Sequence, residues 1–161
     1  MIAVIRHLIM ALALSGVTGF ALAQDTSETA EEAALPDAPL LDVIDAADVS
    51  LDAYLWTNRL IVVFANSELD PNFTKQLELL RARPAELLDR DVIVITDTTP
   101  VPASDVRTAL RPRAFGMVLI DKDGVIKLRK PSPWDVREIA RSIDKTALRQ
   151  QEVRDARAAQ Q

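Results

Sequence analysis

The residues best placed to do chemistry are the polar run Asn66, Ser67, Glu68 and Asp70, which follows six apolar residues and precedes a helical pattern. A loop that leaves a buried strand and enters a helix is where a redox protein can carry a Cys-x-x-Cys pair. This chain has no cysteine. Thiol–disulfide exchange and peroxidase chemistry need a thiolate, so neither can run on this chain by itself. Its one histidine is His7, in a segment read below as cleaved. A Ser-His-Asp triad and His or Cys metal sites are therefore excluded from the mature chain.

Weaker arrangements remain. Ser67 with Lys75 as its base, or Glu68 and Asp70 as paired carboxylates, are conceivable enzymatic sets. Against each stands a plainer explanation: a loop serine and a helical lysine facing water, two solvated acids, and Asp70 capping the helix that opens at Pro71. Gly116 and Gly124 are the only glycines after residue 23, which excludes a glycine-rich phosphate loop. Asp121 and Asp123 begin like a calcium loop, but the closing position is Ser132 and not Glu, so the stretch is a turn. No catalytic residue, cofactor or metal ligand is assigned. Asn66, Ser67, Glu68 and Asp70 are retained as a candidate recognition loop.

The elements that must position this loop can be read in order. Ser50 can cap a short helix through Leu51 and Tyr54 to Leu55, and Thr57-Asn58-Arg59 punctuates the chain before the first strong strand. Leu60 to Ala65 has no polar alternation, as expected of a strand buried on both faces. Phe73, Leu77 and Leu80 fall on one face of the helix after Asp70-Pro71. Pro84 interrupts that helix or starts its second segment. Asp89-Arg90-Asp91 turns the chain into the strand Val92 to Ile95, giving a βαβ crossover with parallel strands. Ser104 can cap a short helix through Val106 and Leu110. Met117 to Ile120 and Val125 to Arg129 form a hairpin around Asp121-Lys122-Asp123-Gly124. Ser132 is the expected cap of the last helix, with Pro133 at its first position and a stripe of Val136, Ile139, Ala140, Ile143 and Ala147. From Gln150 the stripe fails, so residues 150–161 are expected to be a polar tail that projects or frays.

The chain's start reads as an address. Arg6 and His7 precede an apolar core from Leu8 to Phe20, and Ala21-Leu22-Ala23 is a small-residue cleavage site, placing the cut between Ala23 and Gln24. Residues 1–23 are thus a signal peptide, and the core is short of the ~20 residues a spanning helix needs. The mature chain is expected to be periplasmic or secreted, with no membrane span. Residues 24–39 form an acidic disordered linker, whose acids Asp25, Glu28, Glu31, Glu32 and Asp37 leave too little apolar surface to order it. Residues 40–149 form the folded domain.

Charge is unevenly placed: residues 24–58 hold nine acids and no base, whereas residues 100–161 hold eight acids and thirteen bases. The mature net charge is −6 once Arg6 is removed, and the basic third lacks interleaved exposed aromatics, so nucleic acid is disfavoured and none is expected as a partner. Arg111 and Arg113, with Lys127, Arg129 and Lys130, could form a basic rim for an anion or an acidic partner, or simply be exposed loop charges. Trp56 and Trp134 flank element boundaries, where a partly buried packing anchor is the expected role and a ligand platform the alternative.

Helix, then βαβ, then α-ββ-α predicts an α/β fold of the thioredoxin-like type: a three-layer sandwich around a central mixed sheet. Val118 to Ile126 resembles the hairpin of exported thioredoxin-like and peroxiredoxin-like proteins. Trp56-Thr57-Asn58-Arg59 with the apolar run to Ala65, then Asp70-Pro71 with Gln76-Leu77, and the hairpin with Leu128-Arg129 together resemble the DUF4174 family over Leu51 to Leu148. The family includes bacterial exported and vertebrate extracellular proteins, and the resemblance implies a fold without an established activity. The expected function is an exported, monomeric, non-catalytic binding or adaptor domain with an unidentified protein partner. The alternative is a cysteine-free enzyme or redox accessory acting through the Asn66–Asp70 loop or through a cysteine-bearing partner.

Overall fold

Alternation along the central strands sorts side chains onto two faces, and the computed structural model, which describes residues 40–161, has a helical layer on each. The expected signal segment, its expected cleavage point after Ala23 and the expected linker 24–39 lie outside the described residues. Among the described residues the sheet contains β1 (Val43–Asp45), β2 (Arg59–Phe64), β3 (Val92–Asp97), β4 (Gly116–Ile120) and β5 (Ile126–Lys130). Their spatial order is β1-β3-β2-β4-β5. β3 pairs in parallel with both β1 and β2, while β2 with β4 and β4 with β5 are antiparallel. The sheet is therefore mixed, and β2 is its middle strand.

On one face Ile61 and Val63 of β2 pack with Phe73, Leu77 and Leu80 of α1 (Pro71–Arg81), Leu87 of α2 (Pro84–Leu88), and Val136, Ile139 and Ile143 of α4 (Val136–Asp144). On the other, Leu60, Val62 and Phe64 pack with Val106 and Leu110 of α3 (Asp105–Leu110) and with Ala46 of a 3₁₀ turn, Ala46–Asp48. Each large aliphatic so buried contributes about 1.5–3 kcal/mol, which is why β2 tolerates no polar residue between Leu60 and Phe64. α1 ends at Arg81 and Pro84 opens α2, as expected, because a proline inside a helix removes a donor and clashes with the preceding turn. Gly124 at the hairpin tip has φ +77°, and a Cβ there would lie 2.8 Å from Leu55 Cδ2. The positive φ is what makes the turn favour glycine, since the Leu55 methyl ends a partly exposed side chain that can shift.

Four expectations need correction. β1 was not expected: it has three residues, two of them exposed, too few for a pattern in the sequence, and only the backbone pairing of Val43 to Asp45 with β3 makes them a strand. Ser50 precedes a 3₁₀ helix, Leu51–Tyr54, but its hydroxyl makes no cap bond. The last helix starts at Val136 and not after Ser132. Its cap is Asp135, which accepts the Arg137 N–H at 2.8 Å. The cause is Gln76, fully buried on α1, whose amide donates to the Trp134 carbonyl (3.1 Å) and accepts from its N–H (2.8 Å). An N–H held by Gln76 keeps this segment extended.

The fourth correction is the largest. Residues 150–158 do not fray, because they are helical, although every residue from Arg154 on is exposed. α4 stops at Asp144, Thr146 caps a second helix through the Arg149 N–H, and α5 (Ala147–Ala158) carries the supposed tail, with Ala147 exposed. An apolar stripe does not dock it; ion pairs do. Arg59, 0 % exposed and far from the mere punctuation expected, donates from Nη1 and Nη2 to the two oxygens of Glu152, each at 3.1 Å. It also donates to the Arg90 carbonyl at 3.0 Å. Its Nε lies 2.8 Å from Asp121 Oδ1, but the N–H is misaligned, so this contact is an ion pair and not a hydrogen bond. Lys122 joins Glu152 at 3.1 Å, and Arg149 reaches Asp89 at 2.9 Å.

Candidate functional site

β2 and β3 run parallel but leave the sheet on opposite faces, β2 into α1 and β3 towards α3. Such a divergence opens a crevice at the carboxyl ends of the strands, the usual ligand position in open α/β sheets. Here the crevice is filled from within. Arg107 of α3 reaches back over the sheet, donating from Nη2 to the Ala65 carbonyl (2.7 Å) and to Asp97 Oδ1 (2.8 Å), and from Nε to the same carboxylate (3.0 Å). Its guanidinium lies 5.4 Å from the Phe64 ring centroid. Ser104, which caps α3 by accepting the Arg107 N–H, donates to Asp97 Oδ2 at 2.7 Å. Burial alone would raise the Asp97 pKa, but the hydrogen bonds from Arg107 and Ser104 and the Arg107 charge outweigh it and hold the carboxyl below its ordinary value. Asp97 and Arg107 are a satisfied buried pair, and their work is to fix the point where the chain leaves β2.

The candidate recognition loop begins one residue later. Asn66, Ser67 and Glu68 are exposed, and so is Leu69, at 89 %. Ser67 accepts the Leu69 N–H at 3.2 Å and its carbonyl accepts the Asp70 N–H at 3.2 Å, a tight local turn. Lys75 pairs with Glu78 at 3.1 Å, so the base considered for Ser67 is engaged on its own helix. Asp70 accepts the N–H groups of Asn72 (2.8 Å) and Phe73 (3.3 Å), which makes it the cap of α1. Both ends of the loop are thus tied, by Arg107 at Ala65 and by Asp70 at the helix, while four residues between them stand in water.

Two concave sites flank the crevice. A cavity of about 360 Å3 is lined by Asp45, Asp97, Thr98, Ser104 and Asp105 at the carboxyl ends of β1 and β3. A second, of about 270 Å3, gathers Arg111, Arg113, Arg129 and Lys130 at the ends of β4 and β5. Lys127 is not part of that group, because it sits at the hairpin tip with Asp123 at 3.1 Å. Trp134 packs against the core with Lys130 Nζ 4.1 Å from its ring centroid, as expected of an anchor. Trp56 differs from expectation: it is 69 % exposed, with φ +65°.

Position 70, the helix start where a redox pair could sit, is thus occupied by a structural cap. A family model, described as a domain of unknown function, DUF4174, matches residues 50–152. The chain belongs to the DUF4174 family. The matched range of this DUF4174 domain ends at Glu152, the residue that closes on Arg59. Among solved structures, the DUF4174 domain is similar to a chloroplastic thioredoxin z, at 20% identity and TM-score 0.50, covering 68% of this chain and 100% of that one. It is also similar to a reduced Plasmodium vivax 2-Cys peroxiredoxin, at 14% identity and TM-score 0.46, covering 65% and 85%. StoA from Bacillus subtilis matches at 13% identity and TM-score 0.35, covering 53% and 81%. The fold of this DUF4174 domain is thioredoxin-like α/β with a mixed sheet, as the element order predicts, and the likeness extends to the fold alone.

Reading the sequence missed Arg107, Asp97, Arg59, Glu152 and Gln76. A weak signal existed for two of them: Arg59 adjoins a continuous apolar run and Asp97 lies two residues beyond another, where a charged residue must find a partner or stay at the surface. Nothing in the spacing identifies the partners.

Proposed function

We propose that this domain is an exported, non-catalytic binding or adaptor module that presents the Asn66–Leu69 loop to a protein partner. One observation carries the reading: an apolar side chain, Leu69, stands exposed at the tip of a short polar loop whose two ends are held by Arg107 and Asp70. A fixed loop loses little entropy on binding, and an apolar residue among polar ones supplies both burial and orientation. The absence of cysteine from the chain, and of histidine after residue 7, supports binding over turnover. The apolar leader before Gln24 supports export to the periplasm or the medium, and the isolated domain is read as a monomer.

Capture from envelope extract, with the full chain compared against Leu69→Asp, tests this reading. The expected result is a partner retained by the wild type and lost from the variant at unchanged thermal stability. Hydrolase or reductase turnover by the pure protein, abolished by Ser67→Ala or Asp70→Ala, would instead establish the cysteine-free enzyme. Protein recovered outside the cytoplasm should begin at Gln24 on N-terminal sequencing.

A further inference from the structure

β5 is an edge of the sheet: among the described residues it pairs with β4 on one side and with no strand on the other. No backbone bond from outside the hairpin reaches Ile126–Lys130 among those residues. Such a row of unpaired N–H and C=O groups is a template for a further strand. Charges of one sign stand along it. The register with β4 sets Arg129 opposite Val118, on the α3 face of the sheet. Leu128 and Lys130 stand opposite Leu119 and Met117, on the α4 face. Both cations are held in place: Arg129 Nη1 donates to the Leu110 carbonyl at 2.7 Å, and Lys130 sits over the Trp134 ring. Among the described residues neither lies within ion-pair distance of an acid. The same is true of Arg111 and Arg113, which line a groove with Arg129.

This pattern disfavours one occupant and suits another. A second copy of β5 carries only Lys127, Arg129 and Lys130 as charged residues, so pairing two such edges sets like charges against each other. An acidic strand gains the same backbone bonds together with opposite charges. Side chains of a strand alternate between faces, so two consecutive acids would meet Arg129 on one face and Lys130 on the other. A compact anion would reach one face only. We propose that the outer edge of β5 takes an extended acidic segment of a partner protein as a sixth strand of this five-stranded sheet. None of Asn66 to Leu69 belongs to this edge, so the inference stands apart from the loop's role.

Titrating the full chain with a short blocked peptide, two consecutive glutamates between valines and threonines, tests the edge by amide NMR. The expected result is saturable shifts centred on Ile126–Lys130, with the β5 amides that face away from β4 exchanging about tenfold more slowly or better. Affinity should fall about tenfold or more in the Arg129→Glu, Lys130→Glu double variant. Arg113→Glu, at an exposed position outside the sheet, should weaken binding in the same direction without a change in thermal midpoint. Two control peptides separate strand addition from charge alone: one with lysines for the glutamates, and one with every backbone nitrogen methylated. The proposal is overturned by absence of saturable shifts, by shifts centred on Asn66–Leu69, by either control peptide matching the parent, or by undiminished binding in both variants. Concentration-dependent shifts of β5 without peptide would assign the edge to a second copy and overturn it as well.

Discussion

Arg107 shows how one side chain can decide what a crevice does. It spends its donors on the Ala65 carbonyl and on Asp97, so the opening between β2 and β3 becomes a brace for the loop that follows. Removing one member of a buried pair leaves the other charge uncompensated, which costs far more than the pair itself contributes. Arg107→Met should therefore lower stability by about 3–5 kcal/mol in urea denaturation. If Asp97 were already well solvated, the loss would stay below about 1 kcal/mol.

At the level of elements, α1 and α5 behave differently under substitution. Asp70→Ala removes two accepted N–H bonds and should cost about 1 kcal/mol without changing the fold, measured by the same urea midpoint. For α5 the expectation is larger. Glu152→Ala takes the bidentate partner from a fully buried Arg59, and charged hydrogen bonds of this kind contribute about 1.5–3 kcal/mol, so a loss of about 2 kcal/mol is expected. A frayed tail would show no loss at all. The thermal midpoint of Glu152→Ala against wild type distinguishes the two, and Arg157→Ala, in the last turn of the helix, serves as a control that should change little.

Over the whole molecule, acid should unfold this domain through specific carboxylates. Asp97 and Glu152 both titrate below their ordinary values: burial raises each, and hydrogen bonds from Arg107 and Ser104, or from Arg59 and Lys122, outweigh it. A carboxyl with a lowered folded pKa contributes stability that is present above the unfolded value and is lost as pH falls through the folded one. With unfolded values of about 3.9 for Asp and 4.3 for Glu, the thermal midpoint should hold near neutrality and begin to fall below roughly pH 5. It should go on falling to the lower folded values, and Asp97→Asn should flatten that slope. The sequence by itself determined the layers, because apolar runs, prolines, caps and the Asp-Gly turn act within a few residues of one another. β2, α1, the break at Pro84, β3 and the hairpin were all legible for that reason. The candidate loop was legible too, as a polar gap between two strong elements, and so was the convergence of Arg111, Arg113 and Arg129 as a possible basic rim. Only the tertiary structure decided which charged residues go inside. Arg59 meets Glu152 across 93 positions and Gln76 meets Trp134 across 58, and the energy of such a pair depends on three-dimensional approach, which local spacing does not encode. That is why the ion-held start of α5, at Arg149 and Glu152, escapes a search for apolar stripes, and why the crevice at the end of β2 is closed by Arg107.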